Sequence, residues 1–182
     1  MTKNILKEKY NQEVVFKMKE KFGYKNIMAV PRILKVSLNS GIGKYLKEKE
    51  AVDAIVQDFK MISGQKPILS KARKSVSGFK IRQGQAVGVS VTLRGNRMWD
   101  FMQKLISSTL PRFRDFQGIE QKNFDGQGNL NMVVKEHIVF PEITAENVKD
   151  IFGVQVSIIN SARTKKEGVE LFRMLGFPIR ND

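Results

Sequence analysis

Two stretches of alternating side chains limit most strongly what this chain can fold into. In Ile33 to Asn39, Leu34, Val36 and Leu38 point one way, and Lys35, Ser37 and Asn39 point the other. In Val87 to Arg94, Val87, Val89, Val91 and Leu93 alternate with Gly88, Ser90, Thr92 and Arg94. A period of two marks a strand buried on one face and open on the other. Such strands need apolar cover on one side only, which predicts a sheet with helices on that side. The uncovered side then presents Lys35, Ser37, Asn39, Gly88, Ser90, Thr92 and Arg94, a low surface of small donors and acceptors with cations toward its edges.

Helical patterns supply the cover. Leu6, Tyr10, Val14, Met18 and Phe22 recur every four residues ahead of Gly23, predicting an amphipathic helix. Glu8, Glu13 and Glu20 among its lysines favour docking on a protein core over lying on a membrane. A second helix is expected from about Lys47 to Ile62, closed by Ser63-Gly64. A third, capped by Asn96, carries Trp99, Met102, Leu105 and Ile106 and ends before Pro111. Thr144 is read as the cap of a short helix stopping at Gly153. Thr164 and Glu167 are read as the capping box of a last helix closed by Gly176 and Pro178. Further strands are expected at Ile68-Leu69 after Pro67, at Met132 to Val134 after the turn Asp125 to Asn129, and at Val154 to Ile159. The fold class is therefore α+β: a mostly antiparallel sheet, helices on one face, an open polar face, and a long basic loop between two strands. The 182 residues read as a single compact domain.

Charge says what the open face meets. Lys and Arg number 32 against 18 Asp and Glu, a net charge of +14. The surplus is concentrated in residues 59–99, which hold Lys60, Lys66, Lys71, Arg73, Lys74, Lys80, Arg82, Arg94 and Arg97 and no carboxylate. A solvated face ordinarily mixes both signs, so this segment has the character of a polyanion footprint. The polyanion could be nucleic acid or an anionic membrane surface, and no apolar run approaches the roughly 18 residues of a bilayer span. Together with the absence of cysteine this makes cytoplasmic the default address. Single-strand readers place aromatic rings on their strands. These strands have none, and their polar faces suit close approach to an RNA minor groove and its 2′-hydroxyls instead.

The chemistry-bearing motifs fail one by one. Gly41-Ile42-Gly43-Lys44 lacks the spacing of a phosphate-binding loop, and Tyr45 follows the lysine. Asp125 to Asn129 imitates a calcium loop but has Gln127 where Asp or Asn is required, and reads as a turn. His137, the one histidine, lies in an apolar stretch without a ligand set, and nothing pairs Glu136 with Glu142. No enzyme, catalytic residue, metal site or cofactor is expected.

The segment Ser70 to Gln85 is too long for a simple hairpin turn and too poor in apolar residues to fold on itself. Its five cations, with Ser and Gln donors, suit a phosphate backbone. Five neutralised phosphates would give a salt slope of about four. Phe79 is suited equally to stacking on a nucleotide and to anchoring in the protein's own core.

Several runs taken together resemble the bacterial large-subunit ribosomal proteins of the L five family. They are Val30-Pro31-Arg32, Leu38 to Gly43, Ile62 to Pro67, Lys71 to Gly84, Val91 to Gly95, Pro111-Arg112 with Arg114-Asp115-Phe116, Phe124-Asp125-Gly126 and Phe140 to Ile143. They follow in order over nearly the whole chain, and Ser40 and Ser77 stand where members vary. The resemblance implies an α+β fold whose concave sheet face binds 5S rRNA, with the family's RNA-facing polar residues falling on Asn39, Gln65 and Thr92. With the strand pattern added, the expected rRNA-binding set is Lys35, Ser37, Asn39, Gln65, Ser90, Thr92 and Arg94. The resemblance implies that the basic loop contacts the elbow of transfer RNA in the peptidyl site. The expected contacts there are Lys71, Arg73, Lys74, Ser75, Phe79, Lys80, Arg82 and Gln83. It further implies 23S rRNA and other large-subunit proteins as neighbours. It divides the chain into parts of about 1–83 and 84–182, the latter helping to bridge to a head protein of the small subunit through the turn near Asp125. The alternative is a general RNA-binding assembly factor outside the mature ribosome.

Overall fold

The computed structural model describes residues 4–45, 48–114, 116–144 and 150–180. In chain order the elements are α1 (Ile5–Lys9), α2 (Val15–Phe22), β1 (Ile33–Gly41), α3 (Lys49–Ser63), β2 (Ile68–Lys71), β3 (Ala86–Leu93), α4 (Gly95–Lys104), β4 (Leu130–Val134), β5 (Val154–Asn160) and α5 (Lys165–Leu175). The strands form an open antiparallel sheet in the order β2-β3-β1-β5-β4, so the fold is α+β as expected. The chain packs as two compact units, one of Met1–Val36, Leu93–Met132 and Ser157–Asp182, the other of Ser37–Thr92 and Val133–Val156.

In the first unit, α1 and α2 join through a π-helical segment, Tyr10–Val14, into one rod. The stripe explains the π turn. Apolar residues repeated strictly every four positions drift about 40° per step around an α-helix, and a wider turn takes up the drift. Leu6, Val14 and Met18 are buried as a result, and Tyr10 packs its ring on Trp99 at 5.4 Å. Helix α4 begins at Gly95 rather than after Asn96, and the Asn96 amide oxygen accepts from Lys7 Nζ at 3.1 Å instead of capping. The helical path runs on through Leu105–Thr109 within the expected bounds and passes its expected stop in a 3-10 turn, Leu110–Arg112, that contains Pro111. Helix α5 starts at the expected box. Thr164 Oγ1 accepts from the Glu167 N–H at 3.3 Å, and the Glu167 carboxylate accepts from the Arg163 N–H at 3.0 Å.

In the second unit, α3 buries Ile55, Phe59 and Ile62, and Phe59 stacks on Phe152 at 5.9 Å. The short helix expected from Thr144 to Gly153 falls largely on 145–149, outside the described residues, and residues 150–153 are not helical.

Candidate nucleic-acid interface

The candidate interface is the uncovered side of the second unit. Along β1, Val36, Leu38 and Ser40 are buried while Ser37 is half-buried and Asn39 exposed. Ser40 turns inward because its hydroxyl donates to the Gly153 carbonyl at 2.7 Å. Along β3, Val89, Val91 and Leu93 are buried, Ser90 is half-buried and Thr92 exposed. The side chains of Asn39 and Thr92 make no hydrogen bond among the described residues, so their donors and acceptors face outward. Gly88 keeps this surface flat, since a Cβ there would lie 3.3 Å from the Ser40 carbonyl oxygen and 3.9 Å from Asn39 Oδ1.

The alternation fails at its first two positions. Leu34, expected on the core face, is 37% exposed, and Ile33 is buried instead. Both belong to the first unit, where the burial of Ile33 shows that the polar side of β1 is not open along its whole length. Lys35 and Arg94 lie in that unit too, and Arg94 Nη1 approaches the Leu34 carbonyl at 3.5 Å.

Gln65, which strand periodicity does not select, is placed by a helix stop. Helix α3 ends on Gly64 in the left-handed region, φ 68°, which only glycine adopts freely. The Ser63 hydroxyl donates to Phe59 O at 2.6 Å and pins the last turn. The chain then reverses, and Gln65 Nε2 donates to the Thr92 carbonyl at 3.0 Å. One bond thus joins two residues 27 positions apart in sequence.

Strand periodicity also passes over Ile68. The register pairs Ile68 with Ser90 and Ser70 with Gly88, and cross-strand partners share a face. Ile68 therefore stands on the polar side, 71% exposed. β2 is the edge strand of the sheet, and all four of its residues are exposed.

The basic segment does fold on itself, contrary to its composition. A bulge after Ser70 lets the chain out of β2. Beyond it, Ala72 N–H donates to Gln85 O at 2.8 Å and Gly84 N–H to Ala72 O at 2.9 Å. Val76 and Ile81 exchange both backbone bonds, at 3.0 and 3.2 Å, and the Ser75 hydroxyl accepts from the Gln83 N–H at 3.0 Å. Main-chain bonds, which composition does not reveal, supply the order. Lys71, Arg73, Lys74, Lys80 and Arg82 are brought onto this one projection. Phe79 at its tip is 76% exposed, so the core-anchor alternative is not realised.

Among the described residues no group of His, Asp and Glu could hold a metal ion, and no helix is long and apolar enough to cross a membrane. His137 is buried, its ring stacked on Phe152 at 3.9 Å and its Nδ1 accepting from the Phe152 N–H at 3.4 Å. Burial pushes its imidazole below the ordinary value, against a smaller opposite effect of the Phe152 backbone. Asp58 Oδ2 stands 3.5 Å from Nε2, yet Nε2 makes no hydrogen bond among the described residues. Burial, which also raises the Asp58 carboxyl, governs both groups. Partial burial would raise the Asp125 carboxyl as well, but bonds from Asn129, Gln127 and Gly128 outweigh it and hold the group low, as a turn requires.

Fold and face together define an α+β sheet protein with an open polar face on its second unit, a carboxylate-free segment and a cationic finger. Residues 26–82 match the family model described as ribosomal protein L5, and residues 86–179 match the model of that ribosomal family's C-terminus. A "Large ribosomal subunit protein uL5" from Halothermothrix orenii is 47% identical over 175 residues, covering 96% of this chain and 98% of its own. Its counterpart from Desulforapulum autotrophicum is 48% identical over 176 residues, 97% and 98% respectively. The chain belongs to the ribosomal protein L5 family, and is a structural ribosomal protein rather than an enzyme.

Proposed function

We propose that the chain is a component of the large ribosomal subunit that binds 5S rRNA through Lys35, Ser37, Asn39, Gln65, Ser90, Thr92 and Arg94. The Gln65–Thr92 bond carries this reading. It ties a residue with no strand-pattern signal to the strand that carries Ser90 and Thr92, within a segment free of carboxylates. Shape supports an RNA minor groove, because small side chains around Gly88 let a broad shallow groove and its 2′-hydroxyls come close. The finger contacts peptidyl-site transfer RNA through Lys71, Arg73, Lys74, Ser75, Phe79, Lys80, Arg82 and Gln83. The C-terminal part, with the Asp125 turn, helps bridge to a small-subunit head protein. 23S rRNA and other large-subunit proteins are its neighbours on a cytoplasmic ribosome. Filter binding to 5S rRNA over a salt series tests the reading. The expected result is affinity well above that for an unrelated duplex, falling as salt rises. Equal affinity for both would refute it.

A further inference from the structure

We propose that Phe79 is a stacking platform, which the finger holds out ready-made for the exposed face of a nucleobase while its cations hold the sugar–phosphate backbone. The inference rests on the RNA-binding reading above and adds a mode of recognition to it.

Three observations converge on the tip. First, the finger is ordered by its own bonds, the reciprocal Val76–Ile81 pair and the Gln83–Ser75 bond. A flexible basic arm must be ordered when it binds; this one already is. Second, the chain reverses through a 3-10 turn, Ser77–Phe79, and closes it with Lys80 at φ 53°. Lys80 is the one non-glycine residue with positive φ among those described, and such strain persists only where the surroundings hold it. Third, Phe79 presents most of its ring to water, beside Gly78. Neither φ nor packing requires glycine there, since an added Cβ would meet nothing within 4 Å. The space around Gly78 is open apart from its chain neighbours.

The occupant follows from charge and shape. Arg73, Lys74, Lys80 and Arg82 accompany the ring with no carboxylate among residues 59–99. A projecting aromatic with surrounding cations matches a base and its phosphates, because every base has a flat face and stacking tolerates sequence. A peptide's apolar side chain would need a pocket, and a projecting ring offers a face.

Deacylated transfer RNA is the probe, titrated into wild type, Phe79→Leu, Phe79→Trp and Arg82→Ala across a salt series. Phe79→Leu is expected to weaken binding on the order of tenfold with the salt slope unchanged, because no charge is lost. Arg82→Ala should lower the slope by about one. Phe79→Trp should bind like wild type, and its indole fluorescence should fall on binding, against the constant background of buried Trp99. Amide exchange at Ile81 shows that the finger keeps its fold in each variant. Wild-type affinity in Phe79→Leu, with preference for transfer RNA intact, would overturn stacking and leave the RNA reading standing. A wild type with no preference for transfer RNA over unrelated duplex would overturn both.

Discussion

Asn39 and Thr92 sit one strand apart in the sheet with their polar ends turned outward, and nothing in the protein uses those ends among the described residues. A group that contributes little to folding can be removed without harm to the fold, which makes both good probes. Replacing either with Ala should leave thermal stability within about 0.5 kcal/mol. The same change should weaken 5S rRNA binding by about 1–3 kcal/mol if the group bonds to RNA in a dehydrated interface. Filter binding with melting curves on the same samples separates the two effects. His137 is the opposite case, wholly internal. Its imidazole should titrate below the ordinary 6.5 because burial disfavours the charged form. As the only imidazole, it gives an unobstructed NMR signal for that titration. The unfolded chain then takes up the proton more readily than the folded one. This residue's effect is therefore to leave stability whole above pH 6.5 and erode it as pH falls from there through the lowered folded value.

Elements behave as their termini and turns dictate. The cap at Gly64 both ends α3 and points Gln65 at β3, so a helix stop sets the position of a residue assigned to the proposed binding face. The finger is an element of another kind, closed by its own main-chain bonds between Ala72 and Gln85 and standing outside the bonding that holds Gln65 to Thr92. Removing residues 73–82 and joining the ends with a short turn should therefore leave 5S rRNA affinity within about twofold of wild type, the scale of a change under about 0.5 kcal/mol. Transfer-RNA affinity should drop and lose most of its salt dependence, since four of the five loop cations go with the segment. Filter binding of the two RNAs to the shortened protein checks the division, and lost 5S binding would contradict it.

At the scale of the molecule, each packed unit depends on contacts no local pattern announces. A Cβ at Gly128 would lie 2.7 Å from Gly168 Cα, so the Asp125 turn and α5 meet backbone to backbone, and Asn160 Nδ2, at the end of β5, donates to Gly128 O at 2.6 Å. Gly168→Ala should push turn and helix apart and cost about 3 kcal/mol. A shift of the urea midpoint to lower concentration measures it. Gly168 lies inside a helix, where glycine is normally a weakness, and only its distant partner explains it.

That contrast divides what sequence and structure each decide. Alternation, helical stripes and caps are local rules, and they act on residues close together in the chain. They suffice for the α+β class, four helical bodies, the polar faces of β1 and β3, and the concentration of positive charge. They fail where a third party intervenes: Asn96 bonds Lys7 instead of capping, Leu34 and Ile33 exchange burial at the start of a strand, and the basic finger draws its order from paired main-chain groups. Residue types alone determined that this protein would carry a low, cationic, hydrogen-bonding face. Tertiary structure decided that Gln65 meets β3 and that Phe79 is held away from the core, because both depend on bonds between groups whose meeting the fold creates.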